Sequence, residues 1–318
     1  MKKLALSAVS LAALTTSVFA ADLPSRKEPV VAPPPPPMWT GFHVGINAGG
    51  TWANNSNLNV TTWNTSSTLG READAESAAF LSGAVPTSAA SGFIGGGQVG
   101  YDWQIGYGGY GFVTGVEADI QGIAGSGGSG QRTFLTESLN FNIPGIGNFD
   151  DDTITNQRAT ANLSYIGTVR GRIGFLAMPT LLIYGTGGLA YGGVSMSLMN
   201  YQPSWINHAS STQYDLDGLA GVVGGYQSYS NTQVGWTAGG GIEWMAMPNW
   251  SIKAEYLYYD LGNASATAVN VLYPSAGRGL NTEIQNVSNF STRFNGNIVR
   301  AGVNYHFNWG TAPVVAKY

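Results

Sequence analysis

The chain has 318 residues, room for one large domain or two ordinary ones, yet only 10% of them are Asp, Glu, Lys or Arg, where a water-soluble domain carries about 25%. Glycine, at 45 residues, is about twice as common as usual and is accompanied by 16 Tyr, 12 Phe and 9 Trp. Beyond the N-terminus no apolar run reaches the roughly 20 residues of a membrane helix, which excludes a helical channel or transporter. Zero cysteines exclude a disulfide scaffold, a zinc-thiolate or iron-sulfur centre and a cysteine nucleophile, and a net charge of -4 gives nucleic acid no electrostatic purchase.

Met1, Lys2 and Lys3 form a basic start, Leu4 to Thr16 an apolar stretch, and Val18-Phe19-Ala20 a small-x-small cleavage site. Residues 1–20 therefore read as a bacterial-type secretory signal peptide. Residues 21–38 include Pro24, Pro29 and the run Pro33 to Pro37; prolines in series donate no backbone hydrogen bonds, so the segment reads as an extended polyproline spacer in the periplasm. An inert linker is the expectation there, with contact to peptidoglycan as the alternative.

From Gly41 the sequence alternates with period two. Phe42, Val44, Ile46, Ala48 and Trp52 fall on one face and His43, Gly45, Asn47, Gly49 and Thr51 on the other, the pattern of a strand with one oily side. The same split recurs in Phe93 to Trp103, Tyr110 to Gln121, Leu163 to Phe175, Val234 to Trp244, Ser251 to Tyr258 and Val299 to Phe307. In Leu163 to Phe175, Leu163, Tyr165, Val169, Ile173 and Phe175 are assigned to the oily face. Leu181 to Tyr191 is an eighth strand whose facing the pattern leaves open, because only Thr186 is polar. Tight turns at Ile105 to Gly109, Ala177 to Pro179 and Ala246 to Asn249 alternate with long connections, read as loops, at Ala53 to Ser91, Gly122 to Ala159, Gly193 to Asn231 and Gly262 to Gly296.

Eight strands joined alternately by short turns and long connections describe an all-β, antiparallel up-and-down barrel. An open sheet edge in hydrocarbon leaves N–H and C=O groups unpaired at several kcal/mol each, so the sheet must close, first strand against last. Phe42 and Trp52 are ten residues apart on one face, which at about 3.3 Å per residue and a tilt near 40° spans about 25 Å, the height of an outer-membrane apolar band. The expectation is a transmembrane barrel over residues 39–307 in the outer membrane, with termini periplasmic, long loops outside and a C-terminal tail at 308–318.

The polar faces then point at the axis. They carry Asp102, Glu117, Asp119, Arg170, Arg172, Glu243, Lys253, Glu255 and Arg300, five acids against four bases. An eight-stranded barrel is just wide enough for side chains to fill, so these charges are predicted to pair across the axis as a plug; a narrow conducting path is the alternative, and bulk porin activity needs about sixteen strands. His43 and His306 lie on inward faces of strands that closure makes neighbours. Polar lumen filler is the plain reading of the pair, and a metal or haem ligand set the sharper one.

Other motifs read more blandly. Gly95, Gly97 and Gly100 match G-x-G-x-x-G but sit inside an alternating strand, so a nucleotide site fails on context. His208, Ser210, Asp215 and Asp217 are hydrolase-type groups in one loop and Asp150 to Asp152 an acidic run; loop polarity accounts for both, and no enzyme activity, cofactor or resident metal is expected.

Several stretches together resemble a known family, the 25 and 31 kDa outer-membrane β-barrel proteins of alphaproteobacteria. They are Ala21-Asp22-Leu23-Pro24, the proline spacer, Trp39-Thr40-Gly41-Phe42, Tyr184-Gly185-Thr186-Gly187-Gly188-Leu189-Ala190-Tyr191 and the closing Val299-Arg300-Ala301-Gly302-Val303-Asn304-Tyr305-His306-Phe307. The resemblance implies an abundant surface barrel with structural and envelope-integrity roles, in some members a porin or haemin-binding activity, and no catalytic residues. It also implies the barrel-assembly machinery as a partner; outer-membrane lipid follows from the oily face, peptidoglycan from the spacer, and lipopolysaccharide or host surface ligands from long connections rich in Ser, Thr, Asn and Gly. In the family the last strand usually ends the chain at an aromatic residue; here Asn308 to Tyr318 follow Phe307, so either Tyr318 or Phe307 fills that role.

Overall fold

The computed structural model describes residues 39–307 apart from 56, 68–77, 88–90, 107–110, 126, 144–146, 209–217 and 275–283. The signal peptide, the spacer and the C-terminal tail lie outside the described residues. Those described form eleven strands: β1 (Gly41–Ala53), β2 (Asn57–Ser67), β3 (Gly83–Pro86), β4 (Ser91–Ile105), β5 (Phe112–Ala124), β6 (Gly128–Ile143), β7 (Gly147–Met178), β8 (Leu181–His208), β9 (Gly218–Met247), β10 (Trp250–Pro274) and β11 (Ile284–Phe307).

Eight of them close a ring. The order β1-β4-β5-β7-β8-β9-β10-β11 is antiparallel throughout, and β11 returns to β1 with Phe42 opposite Phe307 and Ala53 opposite Gly296. These are the eight strands that the alternation predicts, in the same sequence order. Closure leaves the ring no free edge, which is what a sheet surrounded by hydrocarbon requires.

The outside of the ring is apolar: Phe42, Ile46, Trp52, Phe93, Trp103, Val116, Ile173, Trp236, Trp244, Ile252, Tyr256 and Val299 are all exposed. The inside holds the polar residues of the same strands, buried from solvent. Leu181 to Tyr191 now has a facing, with Leu182, Tyr184 and Ala190 inward and Ile183 and Leu189 outward. Leu163 corrects the sequence reading. It points inward and is buried, because the pairing of β7 with β8 shifts register between Leu163 and Tyr165, and one extra residue reverses the facing of everything before it.

The long connections also depart from expectation, for most of their length is strand. β7 and β8 stay paired as far as Phe149 opposite His208, β8 and β9 as far as Ile206 opposite Gly218, and β10 and β11 as far as Val271 opposite Gln285. β2 continues the wall beside β11, β3 adds to β2, and β6 pairs with the far half of β7. At 32 residues, β7 rises about 80 Å at a tilt near 40°, some three times the apolar band. Beyond that band the outer face of a strand meets water and turns polar, so the oily outer face that marks the spanning part is lost from the sequence.

Candidate lumen site

The interior is filled in layers. At the short-turn end Trp39, fully buried, donates its indole N–H to the Pro179 carbonyl (3.1 Å) and its backbone N–H to Gln104 (3.1 Å). It belongs to an apolar group with Val113, Leu176, Leu182, Tyr184 and Met245. The proline run ends one residue before Met38, so the first described residue after the spacer region is itself the stopper.

Above it lie the charges. Period two places Glu117 and Asp119 on β5, Arg170 and Arg172 on β7, Lys253 and Glu255 on β10, with Asp102 on β4, Glu243 on β9 and Arg300 on β11, and every one is buried. Arg170 reaches Glu117 (2.7 Å), Asp119 (2.9 Å) and Glu255 (2.8 Å), and its Nε donates to the Thr168 hydroxyl (2.8 Å). Arg172 grips Asp102 with two nitrogens, Nε at 2.7 Å, and Glu243 at 2.8 Å. Lys253 donates to both oxygens of Glu117 (2.7 and 2.9 Å). Arg300 bridges Asp119 (2.8 Å) and Glu255 (2.5 Å). The Arg170 and Arg172 groups meet where Arg172 lies 3.8 Å from Glu117, so that all nine residues are joined across the axis.

Neutral groups take up the remaining lone pairs. Gln121 and Thr168 donate to Asp119, the Tyr184 hydroxyl to Glu255, and Ser251 and Asn304 to Glu243. Asn47, Gln98 and Asn304 continue the network beside them. Glycine makes the space: a Cβ on Gly100 would stand 2.6 Å from the His43 ring. Buried ion pairs gain little net stability over apolar packing, because desolvation offsets their attraction, but they are costly to break singly.

On the other side of the charges the lumen turns apolar, with Ile94, Ile166, Leu257, Tyr259 and Ile298 and, farther out, Leu58, Val60, Leu163, Val194, Met196 and Phe290 in one buried cluster. A cavity beside Leu163, Tyr259, Thr292 and Phe294 has a volume of about 20 Å³, room for a single water. A second polar belt crosses the ring above this: Thr62 to Ser288 (2.7 Å), Asn270 to Ser288 (2.8 Å), Asn200 to Asn270 (2.8 Å) and Gln157 to Asn200 (2.9 Å). There the turn at Phe80 to Ser82 folds inward, with Gln157 donating to the Leu81 carbonyl and Arg132 to those of Phe80 and Ser82.

His43 and His306 are register partners in β1 and β11, with ring centroids 5.3 Å apart. His43 Nδ1 is 3.2 Å from Asp102 and its Nε2 3.5 Å from Glu117, while His306 Nε2 meets the Ser251 hydroxyl at 2.9 Å. Gly95, Gly97 and Gly100 all lie within β4, and the next described element is β5. The side chains of Asp150 to Asp152 and His208, and residues Ser210, Asp215 and Asp217, lie outside what is described. The outer belt and the Trp39 stopper lie outside the eight strand segments that the alternation predicts. Alternation through Asn286, Ser288, Phe290 and Thr292 was a signal for the former.

A family model described as a porin subfamily matches residues 107–284. The 31 kDa outer-membrane immunogenic protein of Brucella melitensis biotype 1 is 30% identical over 309 residues, covering 96% of this chain and 100% of its own length. The protein of the same name from Brucella suis biovar 1 matches equally. Among solved structures, the outer membrane protein OprG from Pseudomonas aeruginosa aligns over 85% of this chain and 98% of its own at 10% identity, with a TM-score of 0.29. A closed eight-stranded ring with an oily exterior, the family match and the likeness of nearly the whole chain to the two Brucella proteins make this chain an outer-membrane β-barrel protein that belongs to the porin subfamily, in the 25 and 31 kDa outer-membrane protein family.

Proposed function

We infer that this barrel serves the outer membrane as a structural and surface-presenting element, with a lumen that seals rather than conducts. The observation that supports the reading is the succession of fillings along the axis: the Trp39 stopper, the nine-residue ionic layer, the apolar cluster and the outer amide belt. An ion crossing this path would have to displace paired charges and then enter an apolar layer, with loss of hydration at both. On this reading the termini and proline spacer face the periplasm, and the long-strand end stands outside, where it meets lipopolysaccharide and host molecules. The relatives are named as immunogenic, and the same strand-built extension would carry the epitopes here. The barrel-assembly machinery and peptidoglycan are the periplasmic partners the reading implies.

Planar-bilayer recording on the refolded barrel tests the seal. No discrete conductance steps are expected at moderate voltage, and regular steps that scale with salt would favour the narrow-channel alternative.

A further inference from the structure

The short-turn end holds a group of side chains that the plug does not use fully. His43 of β1, Asp102 of β4 and His306 of β11 each offer one ligand atom, and these atoms lie within 4.8 Å of one another, all three residues being buried. Neither ring nitrogen of His43 nor Nδ1 of His306 makes a hydrogen bond, although His43 and His306 are 0% and 1% exposed. Buried polar atoms left so are rare and need a reason.

Three further observations point to a cation. The 3.2 Å between His43 Nδ1 and Asp102 Oδ2 is close to the roughly 3.3 Å edge of a tetrahedral site with bonds of about 2.0–2.1 Å. His306 Nε2 is held by the Ser251 hydroxyl and lies 3.4 Å from Glu243, which leaves the buried, unbonded Nδ1 as the nitrogen open to a metal, the arrangement that orients a metal-ligating imidazole. The ionic layer also has five carboxylates, Asp102, Glu117, Asp119, Glu243 and Glu255, against Arg170, Arg172, Lys253 and Arg300. It is one positive charge short.

We propose that His43, His306 and Asp102 bind one divalent transition cation, with zinc as the best match to two imidazoles and a carboxylate. Asp102 keeps Oδ1 on Arg172 Nε, 2.7 Å away, and would share Oδ2 between Arg172 Nη2 and the metal. The three ligands sit on β11, β1 and β4, so the ion staples the seam where the first and last strands of the ring meet. A macrocycle such as haem does not fit, since Trp39 stands edge-on to His306 at 5.8 Å and β4 approaches His43 at Gly100. The site is independent of whether the barrel conducts.

The test is refolding of the full-length chain in chelator-treated buffer with and without zinc, followed by desalting and elemental analysis. One zinc per barrel should remain, and the temperature at which the compact gel band converts to the extended one should rise. His43→Asn and His306→Asn should each weaken retention about tenfold or more, while His208→Ala, at the remaining histidine of the chain, should not. Should either variant fail to refold, Cu²⁺-loaded wild type examined by electron paramagnetic resonance should show two coordinated nitrogens. Substoichiometric zinc in wild type would overturn the proposal and leave a protonated imidazole as the missing positive charge. Unchanged retention in both histidine variants, or a copper spectrum without nitrogen ligands, would overturn it too.

Discussion

Replacing Arg170 with methionine should lower the stability of the folded barrel by about 3–5 kcal/mol, because one partner is removed from a buried charge cluster. Arg170 stands at its centre, within 2.9 Å of Glu117, Asp119 and Glu255. Without it, Glu117 retains Lys253, and Asp119 and Glu255 share Arg300 alone, so negative charge is left uncompensated where water cannot enter. Arg170→Lys should recover only part of the loss, since one ammonium cannot reproduce the planar fork that spans three carboxylates. Urea unfolding in phospholipid vesicles, followed by gel mobility of unboiled samples, measures both. Arg293→Met is the comparison: the Arg293 side chain is 56% exposed and that of Asp260 3%, so one end of the pair is open to water and its loss should cost less than loss from a cluster buried at every end. If Arg170→Met unfolds no more readily than Arg293→Met, the ionic layer is not buried as described.

The second large effect belongs to the outer face. Ala301 lies midway along the apolar stretch of β11, exposed between Val299 and Val303 and opposite Ala48 and Ala254 on the flanking strands. Ala301→Arg should destabilise the vesicle-embedded barrel by about 2–4 kcal/mol, the cost of an arginine near the bilayer midplane. The same substitution on a water-facing strand would be nearly neutral. Equal stability of Ala301→Arg and wild type in lipid would mean that this face does not meet hydrocarbon.

Where the environment differs on the two sides of a strand, the sequence carries the architecture plainly. Val44 and His43, or Val116 and Glu117, sort to opposite faces because one meets lipid and the other the axis, and closure then makes β1 and β11 neighbours before any coordinates are known. Alternation gives a face but no partner. That Arg170 meets Glu117, Asp119 and Glu255 at once, or that Arg172 holds Asp102 and Glu243, depends on strand stagger around the ring, which period-two counting does not contain. The bulge at Ser164 shows the same limit on a single strand, since it turns Leu163 inward with no signal in the hydropathy pattern. The far halves of β8, β10 and β11 were read as loops because Ser, Asn and Thr crowd their outer positions; their inner positions, Val194, Met196 and Leu198 among them, carry the strand. Trp39 was legible as an aromatic at the mouth of the first strand, but its inward turn rests on bonds to Gln104 and Pro179, distant in sequence.

A barrel in the outer membrane turns the exposed apolar side of its wall, Val116 and Val303 included, toward acyl chains. The chain has no cysteine, so single fluorophore-labelled cysteines at Val116 and Val303 report on one site each, in vesicles containing nitroxide-bearing lipids. Strong quenching by nitroxides placed along the acyl chains is predicted at both positions, together with weak quenching by a water-soluble agent. Labels at both positions that no lipid-borne nitroxide quenches, in a protein that stays monomeric in buffer without detergent, would contradict it.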